Sequence, residues 1–289
     1  MHVFLTGASG WVGSAVAEDL LAAGHQVTGL VRNAQKAQAL VALGMQVVNG
    51  TLDDHQLLHD GASRADAVIH TAFNHDFSCF SENCAQDERA IQILGEALHG
   101  SDRPLLVTSG VAMIAPGRLA TENDLPFVAP AYPRRSEPAA RELADKGVRA
   151  ATIRLSPTVH GLGDHGFIPI LMDLAKQTGV SAWPEDAENR WAAVHRRDAA
   201  TLYRLALETG MTQAVYHAVA EEGILFRDIA QAIGKHLGVP AEPRAREHFG
   251  WFADFASLNM AASSEQTRAV LGWNPTHPTL LADLAQAQY

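Results

Sequence analysis

Short apolar runs alternate with amphipathic stretches through the first half of the chain. The apolar runs have the length of buried strands and lie at Val3–Thr6, Val27–Val31, Met45–Val48, Ala67–Thr71, Leu105–Ser109 and Ala151–Leu155. Apolar positions three and four residues apart predict helices between them, at about 12–23, 34–43, 84–98 and 137–146. Strands that alternate with helices favour a parallel sheet with right-handed crossovers and helices on both faces. The pattern therefore predicts an α/β protein.

The alternation loosens after residue 155. Helical patterns at about 167–178, 198–208, 226–237 and 264–271 are separated by short extended pieces near 180–183 and 214–219. The stretch 114–138 contains five prolines, which predicts an irregular loop over the cleft. We predict a sheet domain at 1–155 and a smaller substrate-side lobe at 156–289. Because the composition does not change sharply at 155, the lobe is expected to pack on the domain, with segments that return to the sheet.

Composition narrows the class of protein. The chain has 289 residues, with 47% hydrophobic and 19% charged positions, which is typical of a folded globular protein. It shows neither an apolar run of the ~20 residues that span a membrane nor a signal-peptide pattern, so we expect no membrane partner. The two cysteines, Cys79 and Cys84, are too few for a disulfide framework, which favours a cytoplasmic location. The net charge of −10 argues against nucleic acid as a partner.

Three glycines follow the first predicted strand at a spacing of three, in Thr6-Gly-Ala-Ser-Gly-Trp-Val-Gly13. Glycine permits a tight turn and lets a ligand approach the backbone closely. The helix that follows presents free N–H groups and the positive end of its dipole, which together favour an anion. In a strand–turn–helix unit that anion is typically the pyrophosphate of a dinucleotide. The predicted cofactor-binding residues of this turn are Gly7, Ser9, Gly10, Trp11, Val12 and Gly13.

The ends of the other strands supply further candidates, because ligands of such sheets bind beyond the carboxyl ends of the strands. Arg32 ends the second strand, where an acidic residue would suit the ribose hydroxyls of NAD and arginine suits a 2′-phosphate, so NADP(H) is favoured over NAD(H). At the third strand, Leu52 would pack on the adenine and Asp53 would accept from its amino group, although Asp53 would also suit the cap of the next helix. The remaining cofactor candidates are Thr71, Ala72, Phe73, Pro157 and Val159.

The wider sequence resembles one superfamily. The turn Thr6 to Gly13 is similar to the T-G-x-x-G-x-x-G signature of extended and atypical short-chain dehydrogenase/reductases. Further matches follow in order across nearly the whole chain, at Leu52–Asp53, Asp66–Ala72, Val107–Ser109, Ile153–Gly161, Val194–Asp198 and Leu271–Pro275. The resemblance implies a Rossmann-type doubly wound parallel sheet with a small C-terminal substrate lobe, and a nicotinamide dinucleotide. Relatives include NAD-dependent epimerase/dehydratases, dihydroflavonol-type reductases and 3β-hydroxysteroid dehydrogenases.

The catalytic pattern departs from that superfamily. Its members use a Tyr-x-x-x-Lys pair and an upstream Ser or Thr, in which the lysine lowers the pKa of the tyrosine that transfers the proton. Near the expected helix, the sequence offers Tyr132, but Ser136 stands where the lysine belongs. The resemblance implies Ser109, Tyr132 and Arg135 as catalytic residues, with Arg134 as the alternative source of the positive charge.

Two other registers stay open. Counting back from the end of the helix places the expected tyrosine near Ala129 and the lysine near Pro133. The turn after the fifth strand allows Gly110 to replace Ser109 in the catalytic slot.

Histidines are the candidate substrate contacts. His75 follows the fourth strand, His160 lies in the loop after the sixth, and His195 matches a substrate-side or structural position of the superfamily. Asp198 opens the helix predicted at 198–208 and is expected to cap it. The chain has 14 histidines but no H-E-x-x-H motif or comparable pair, so we predict no metal.

The preferred function is an NADP(H)-dependent oxidoreductase that acts on a small carbonyl or alcohol. One alternative is a non-catalytic NADP(H)-binding sensor or partner-binding protein, because the lysine is missing. Another is a nucleotide-sugar epimerase or dehydratase. Those enzymes use NAD and the Tyr/Lys pair, so Arg32 and the missing lysine both argue against this alternative. The expected partners are a small-molecule substrate and, at the level of the family, a second copy in a homodimer.

Overall fold

A seven-stranded parallel sheet forms the centre of the molecule. The computed structural model describes residues 1–126, 132–185 and 188–286. The sheet has the spatial order β10-β6-β5-β4-β1-β2-β3, and every neighbouring pair in it is parallel. Its strands are β1 (His2–Thr6), β2 (Gln26–Val31), β3 (Gln46–Asn49), β4 (Ala67–His70), β5 (Leu105–Gly110), β6 (Ala150–Leu155) and β10 (Val215–Ala218). The order reverses between β1 and β4, the position at which ligands bind in such sheets.

Helices cover both faces of this sheet. They are α1 (Trp11–Ala22), α2 (Ala34–Ala42), α3 (His55–Ser63), α4 (Phe80–Leu98), α5 (Ser136–Asp145) and α7 (Arg196–Glu208). Successive side chains of a strand point to opposite faces, and β1 shows the result. Val3 and Leu5 pack in the core that α1 and α7 cover, whereas Phe4 packs in the core that α3, α4 and α5 cover. The near-continuous apolar runs of the sequence are thus strands buried on both faces.

The rest of the chain forms a smaller lobe at the carboxyl ends of the strands. Its strands are β7 (Thr158–His160), β8 (Ser181–Pro184), β9 (Arg190–His195), β11 (Glu221–Leu225) and β12 (Ala241–Arg244). Its helices are α6 (Phe167–Thr178), α8 (Phe226–Leu237), α9 (Ala253–Ala256) and α11 (Leu280–Leu284), whereas α10 (Glu265–Leu271) packs on β10 and α7 of the sheet domain. Short 3-10 helices cover Phe77–Cys79 and Arg246–Phe252. Trp191, Phe226 and Phe252 fill the centre of the lobe.

The predicted fold class, a Rossmann-type doubly wound parallel sheet, is confirmed. The region after residue 155 contributes β10 and α7 to the sheet domain, so the sheet and the lobe are interleaved along the chain. Helix α3 was not among the predicted helices, because its buried face consists only of Leu58 and Ala62. Of the helices that the structure describes, none combines the length and the apolar composition that crossing a membrane requires.

Candidate functional site

The glycine turn leaves the amino end of α1 open. Gly10 occupies the cap position, and its N–H donates to the carbonyl of Gly7 at 2.8 Å. Within the described chain, no side chain caps α1, and its first turn contains no acidic residue. The first N–H groups of the helix and the positive end of its dipole therefore face the cleft, and they favour an anion there.

Two of the three glycines in this turn, Gly7 and Gly13, have no room for a side chain. Gly7 has φ of +72°, in the left-handed region, and a Cβ on Gly13 would lie 2.1 Å from the carbonyl oxygen of Gly7. A Cβ on Gly10 would meet only that same oxygen, at 3.1 Å, so the space above Gly10 is open to a ligand. The backbone thus forms a cradle of the size and polarity that a pyrophosphate needs, and the residues present fit a dinucleotide.

The ring of Trp11 fastens the glycine turn to the lobe. Its indole Nε1 donates to the carbonyl of Val159 at 2.6 Å, and the guanidinium of Arg196 lies 4.2 Å from the ring centre. Arg196 also donates to the hydroxyl of Ser14 at 3.1 Å. The structure therefore brings the predicted residues Trp11 and Val159 together, but the carbonyl of Val159 already accepts from the indole. Pro157, also predicted, lies between β6 and β7, next to this contact.

The candidate adenosine contacts lie at the ends of β2 and β3. Arg32 is exposed directly after β2, and Asn33 caps α2 by accepting from the N–H of Gln35 at 2.8 Å. Leu52 is 8% exposed, so only its edge is available to a ligand. The carboxylate of Asp53 accepts from Gln86 at 2.7 Å. The expectation that Asp53 caps the next helix is wrong, because α3 begins at His55, one residue too late for it.

A pocket opens beyond the carboxyl end of β5. Ser109, Tyr132 and Arg134 line it together, with Gly110 beside them. Arg134 lies under the loop after β4, with its guanidinium 4.4 Å from the ring centre of Phe73. Its Nη2 points to the carbonyl of Thr108 at 3.4 Å. A hydroxyl, a phenol and a fixed cation therefore share one cavity.

Tyr132 is largely buried, and this affects its acidity. Burial raises the pKa of the phenol, and the positive charge of Arg134 acts in the opposite direction. The net shift is upward, so Tyr132 holds its proton at neutral pH. The alternative position Ala129 lies outside the described residues.

Arg135, the cation named from the sequence, does not line the described part of this pocket. Arg135 pairs with Glu88 at 2.8 Å and with Glu142 at 2.6 Å, on the outer surface of α4 and α5. Arg134 faces the pocket instead. Glu142 lies seven residues after Arg135, beyond the three or four residues at which helical side chains are expected to pair, so local spacing held no signal for this difference.

A buried chain of hydrogen bonds holds Arg134 in place, and sequence analysis missed it. The Nε of Arg134 donates to the hydroxyl of Ser136 at 3.0 Å, and that hydroxyl donates to the carboxylate of Asp87. The other oxygen of Asp87 lies 3.0 Å from Nε2 of His70, whose Nδ1 lies 2.8 Å from the hydroxyl of Thr6. Ser136 and Asp87 are buried, so the negative charge of Asp87 is satisfied through this chain.

The loop after β4 contacts the glycine turn through Thr71 and Ala72 and contacts Arg134 through Phe73. Thr71 and Ala72 are half-buried beside the glycine turn, and the hydroxyl of Thr71 donates to the carbonyl of Thr6 at 2.8 Å. His75 keeps an exposed surface, as a substrate contact requires. Desolvation by its neighbours, followed by the charge of Arg134, lowers the pKa of His75. His75 is therefore neutral at physiological pH.

The other two histidines predicted as substrate contacts have structural partners. His160 is fully buried and lies 2.6 Å from the carboxylate of Asp283, so the prediction of a substrate contact is wrong for it in this conformation. His195 caps α7 by accepting from the N–H of Arg197 at 3.2 Å. The ring of His195 is half-buried and stacks on His277 at 4.7 Å.

Asp198 does not cap α7, contrary to expectation, because the helix begins two residues earlier at Arg196. Its carboxylate accepts from the N–H groups of Thr276 and His277, at 3.0 and 3.1 Å, and from the ring of His277 at 2.8 Å. Asp198 thus pins the segment after α10 to the amino end of α7. His195, Asp198 and His277 lie close enough to share a cation. The Nδ1 atoms of both histidines and the two carboxylate oxygens of Asp198 already have hydrogen-bond partners.

Comparisons with known proteins agree with this geometry. Residues 7–156 match a family described as NAD(P)H-binding. An uncharacterised protein of Schizosaccharomyces pombe is 47% identical over the whole of both chains.

A relative with a described reaction and a solved structure extend the comparison. A Stigmatella aurantiaca ketoreductase of 4-hydroxy-2-methyl-3-oxo-4-farnesyl-3,4-dihydroquinoline-1-oxide is 27% identical, over 86% of this chain and 80% of its own. The structure of Thermus thermophilus UDP-glucose 4-epimerase with NAD superposes with a TM-score of 0.76. It is 20% identical and the alignment covers 98% of this chain and 96% of the epimerase, which shows a shared fold.

Proposed function

Since the chain belongs to the family described as NAD(P)H-binding, we propose that it is an NADP(H)-dependent reductase of small carbonyl compounds, of the extended short-chain dehydrogenase/reductase type. The observation that carries the proposal is the shared pocket of Ser109, Tyr132 and Arg134. This pocket lies at the carboxyl edge of the same sheet as the glycine turn, which is the edge where such sheets bind their ligands.

The turn from Gly7 to Gly13 would hold the pyrophosphate, with Thr71 and Ala72 behind it. When bound, the dinucleotide supplies a hydride to the carbonyl carbon. Arg32 would hold the 2′-phosphate of NADP(H), because its exposed guanidinium stands directly after β2 and pairs well with phosphate. Positive charge lies here although the chain carries a net charge of −10, since the charges of Arg134 and Arg32 both act on the ring of His75.

The protein's own groups would handle the proton and the carbonyl oxygen. Ser109 would donate a hydrogen bond to that oxygen, and Tyr132 would give it a proton. Arg134 would then stabilise the phenolate that Tyr132 becomes. A fixed cation serves this purpose in place of lysine, although it cannot itself exchange a proton.

The protonated phenol of Tyr132 suits the reductive direction. Carbonyl reduction needs the protonated phenol, whereas alcohol oxidation needs the phenolate. Burial keeps Tyr132 protonated at neutral pH, so the acid form is ready. The ketoreductase among the relatives supports a carbonyl as the reacting group.

A panel of aldehydes and ketones tests the proposal. Each compound is mixed with the purified protein and NADPH, and NADPH consumption is followed by absorbance. We expect turnover of at least part of the panel and weaker activity with NADH. Tight NADPH binding without turnover of any member would contradict the proposal and favour a non-catalytic sensor.

A further inference from the structure

A series of aromatic rings leads from the pocket to the surface. This aromatic strip consists of Phe73, Phe77, Phe80, Tyr132 and Trp251. Phe80 lies 6.3 Å from Tyr132 and 6.1 Å from Phe73, measured between ring centres. Phe77 continues the strip, 5.9 Å from Phe80 and 5.8 Å from Trp251. A ligand that follows the strip inward therefore arrives at the hydroxyl of Tyr132.

The outer end of the strip is exposed to water. Trp251 is 67% exposed and Phe77 is 41% exposed, although each presents a large apolar face. Single exposed apolar residues are ordinary, but adjoining exposed rings beside a catalytic pocket mark a binding surface. The two rings come from opposite sides of the cleft, because Phe77 belongs to the loop after β4 and Trp251 belongs to the lobe.

The backbone around Trp251 is shaped to present its ring outward. Gly250 has φ of 52° and ψ of −128°, a combination that residues other than glycine rarely adopt. The residues on either side of the kink, Phe249 and Phe252, are both buried in the lobe. Without the kink, Trp251 would continue the helical turn between two buried rings. The conformation of Gly250 therefore keeps the ring of Trp251 exposed at the mouth of the cleft.

The polar groups beside the strip complement a π-system. Arg134 lies on the face of Phe73, and the ring of His75 lies 5.3 Å from Phe73 and 6.3 Å from Phe77. The nearby carboxylate of Asp76 accepts from the N–H and the hydroxyl of Ser78, so it is turned into its own loop. Flat rings stack on such a surface and gain from the cation at its inner end.

We propose that the substrates are carbonyl compounds whose C=O group is attached to an aromatic ring, and that this ring binds on the aromatic strip, against the faces of Phe77 and Trp251. The inference rests on the proposed reductase function. The C=O bond becomes CH–OH: the carbon receives a hydride from the reduced nicotinamide dinucleotide, which is oxidised, and the oxygen receives the proton of Tyr132. The aromatic strip thus binds the ring of the substrate, and Ser109 and Tyr132 of the inner pocket contact its carbonyl oxygen.

A turnover comparison tests this selection. Benzaldehyde and cyclohexanecarbaldehyde have the same carbon skeleton, but only the first has a flat ring. We expect kcat/KM to be about tenfold higher for benzaldehyde, because its ring stacks on two partners. Trp251→Ala should remove most of that ratio through KM, and Trp251→Phe should keep most of it. Val41→Ala, at an exposed apolar position on α2, is the matched control and should leave the ratio unchanged.

A binding experiment separates this inference from the reductase proposal. Benzamide and cyclohexanecarboxamide carry a carbonyl that is not reduced, and their affinities for the NADPH-saturated protein are measured by calorimetry. Tighter binding of benzamide that is lost in Trp251→Ala supports the strip even if no aldehyde is turned over. Equal affinities would overturn it. It would also be overturned if sedimentation showed a dimer that Trp251→Ala dissociates while benzamide binding stays the same.

Discussion

The hydroxyl of Ser136 donates a hydrogen bond to the buried carboxylate of Asp87. Ser136 stands four residues after Tyr132, where the superfamily's pattern has lysine. The same hydroxyl accepts from Arg134, so the cation of this site comes from two residues after the tyrosine. Ser136, at the position of the superfamily's lysine, therefore carries no charge itself and instead accepts a hydrogen bond from the charged guanidinium of Arg134.

The two adjacent arginines provide a matched test of this arrangement. Arg134→Gln removes the cation that lowers the pKa of Tyr132, so the phenol becomes a weaker acid. We expect kcat for carbonyl reduction to fall by about tenfold or more, with the alkaline limb of the pH–rate profile shifted upward. Arg135→Gln breaks only surface ion pairs and should leave both quantities unchanged. Equal effects of the two changes would contradict the assignment.

Gly10→Ala tests the dinucleotide cradle. A Cβ at this position meets only the carbonyl oxygen of Gly7, at 3.1 Å, so the fold should tolerate it. The methyl group would occupy the space in which a pyrophosphate approaches the end of α1. We expect the Kd for NADPH to rise by about tenfold or more, while Tm changes by a few degrees at most. An unchanged Kd would show that the dinucleotide binds elsewhere.

Arg32→Ala tests the preference for NADP(H). Loss of the guanidinium removes a charge-assisted contact to the 2′-phosphate, so NADPH should bind about tenfold more weakly. Binding of NADH, which has no 2′-phosphate, should change little. Arg64→Ala removes another exposed arginine, one that lies 3.8 Å from Asp60 in α3, and serves as the control. If Arg32→Ala weakened the binding of NADH and of NADPH equally, Arg32 would not contact the 2′-phosphate.

Buried histidines predict how stability depends on pH. Burial, followed by the charge of Arg154, lowers the pKa of His217 from 6.5 to about 4. In the unfolded chain His217 is protonated below about pH 6.5, whereas in the folded protein it is protonated only below about pH 4. The free energy of unfolding therefore falls as the pH is lowered through this range. His195, whose pKa burial also lowers to about 4, acts in the same direction.

Urea unfolding of His217→Gln measures this contribution. The amide can keep the bonds that His217 makes to the carbonyl of Ser263 and to Arg154. Between about pH 7.5 and pH 5, the variant should lose less stability than the original protein, by at most about 1.4 kcal/mol per pH unit below pH 6.5. Replacement of the exposed His99 by glutamine should leave the pH dependence as it was. An identical loss in His217→Gln would contradict the account.

The fold could be predicted because its signals are local. The strand ending at Thr6, the turn to Gly13 and the helix behind it occupy one continuous stretch, and the spacing of the glycines follows from the backbone geometry of that stretch. The apolar runs likewise marked the strands that both layers of helices bury.

The candidate site could be predicted only in part, because it depends on contacts between distant segments. Asp87 lies on α4, 49 residues before Ser136, and local spacing does not show that the two meet. The choice between Arg134 and Arg135 depends on which way the chain enters α5. The sequence around His160 is rich in glycine and suggested an accessible loop. In the fold, His160 is buried in the lobe and contacts the carboxylate of Asp283, 123 residues later in the chain.

The most direct test of the central claim is the turnover number of Tyr132→Phe in NADPH-dependent reduction of the best aldehyde of the panel. This change removes only the hydroxyl that donates the proton. Removal of a positioned general acid typically costs about 10²–10⁴ in rate, so we predict a fall in kcat of that size with an unchanged Kd for NADPH. Full activity of Tyr132→Phe would contradict the account.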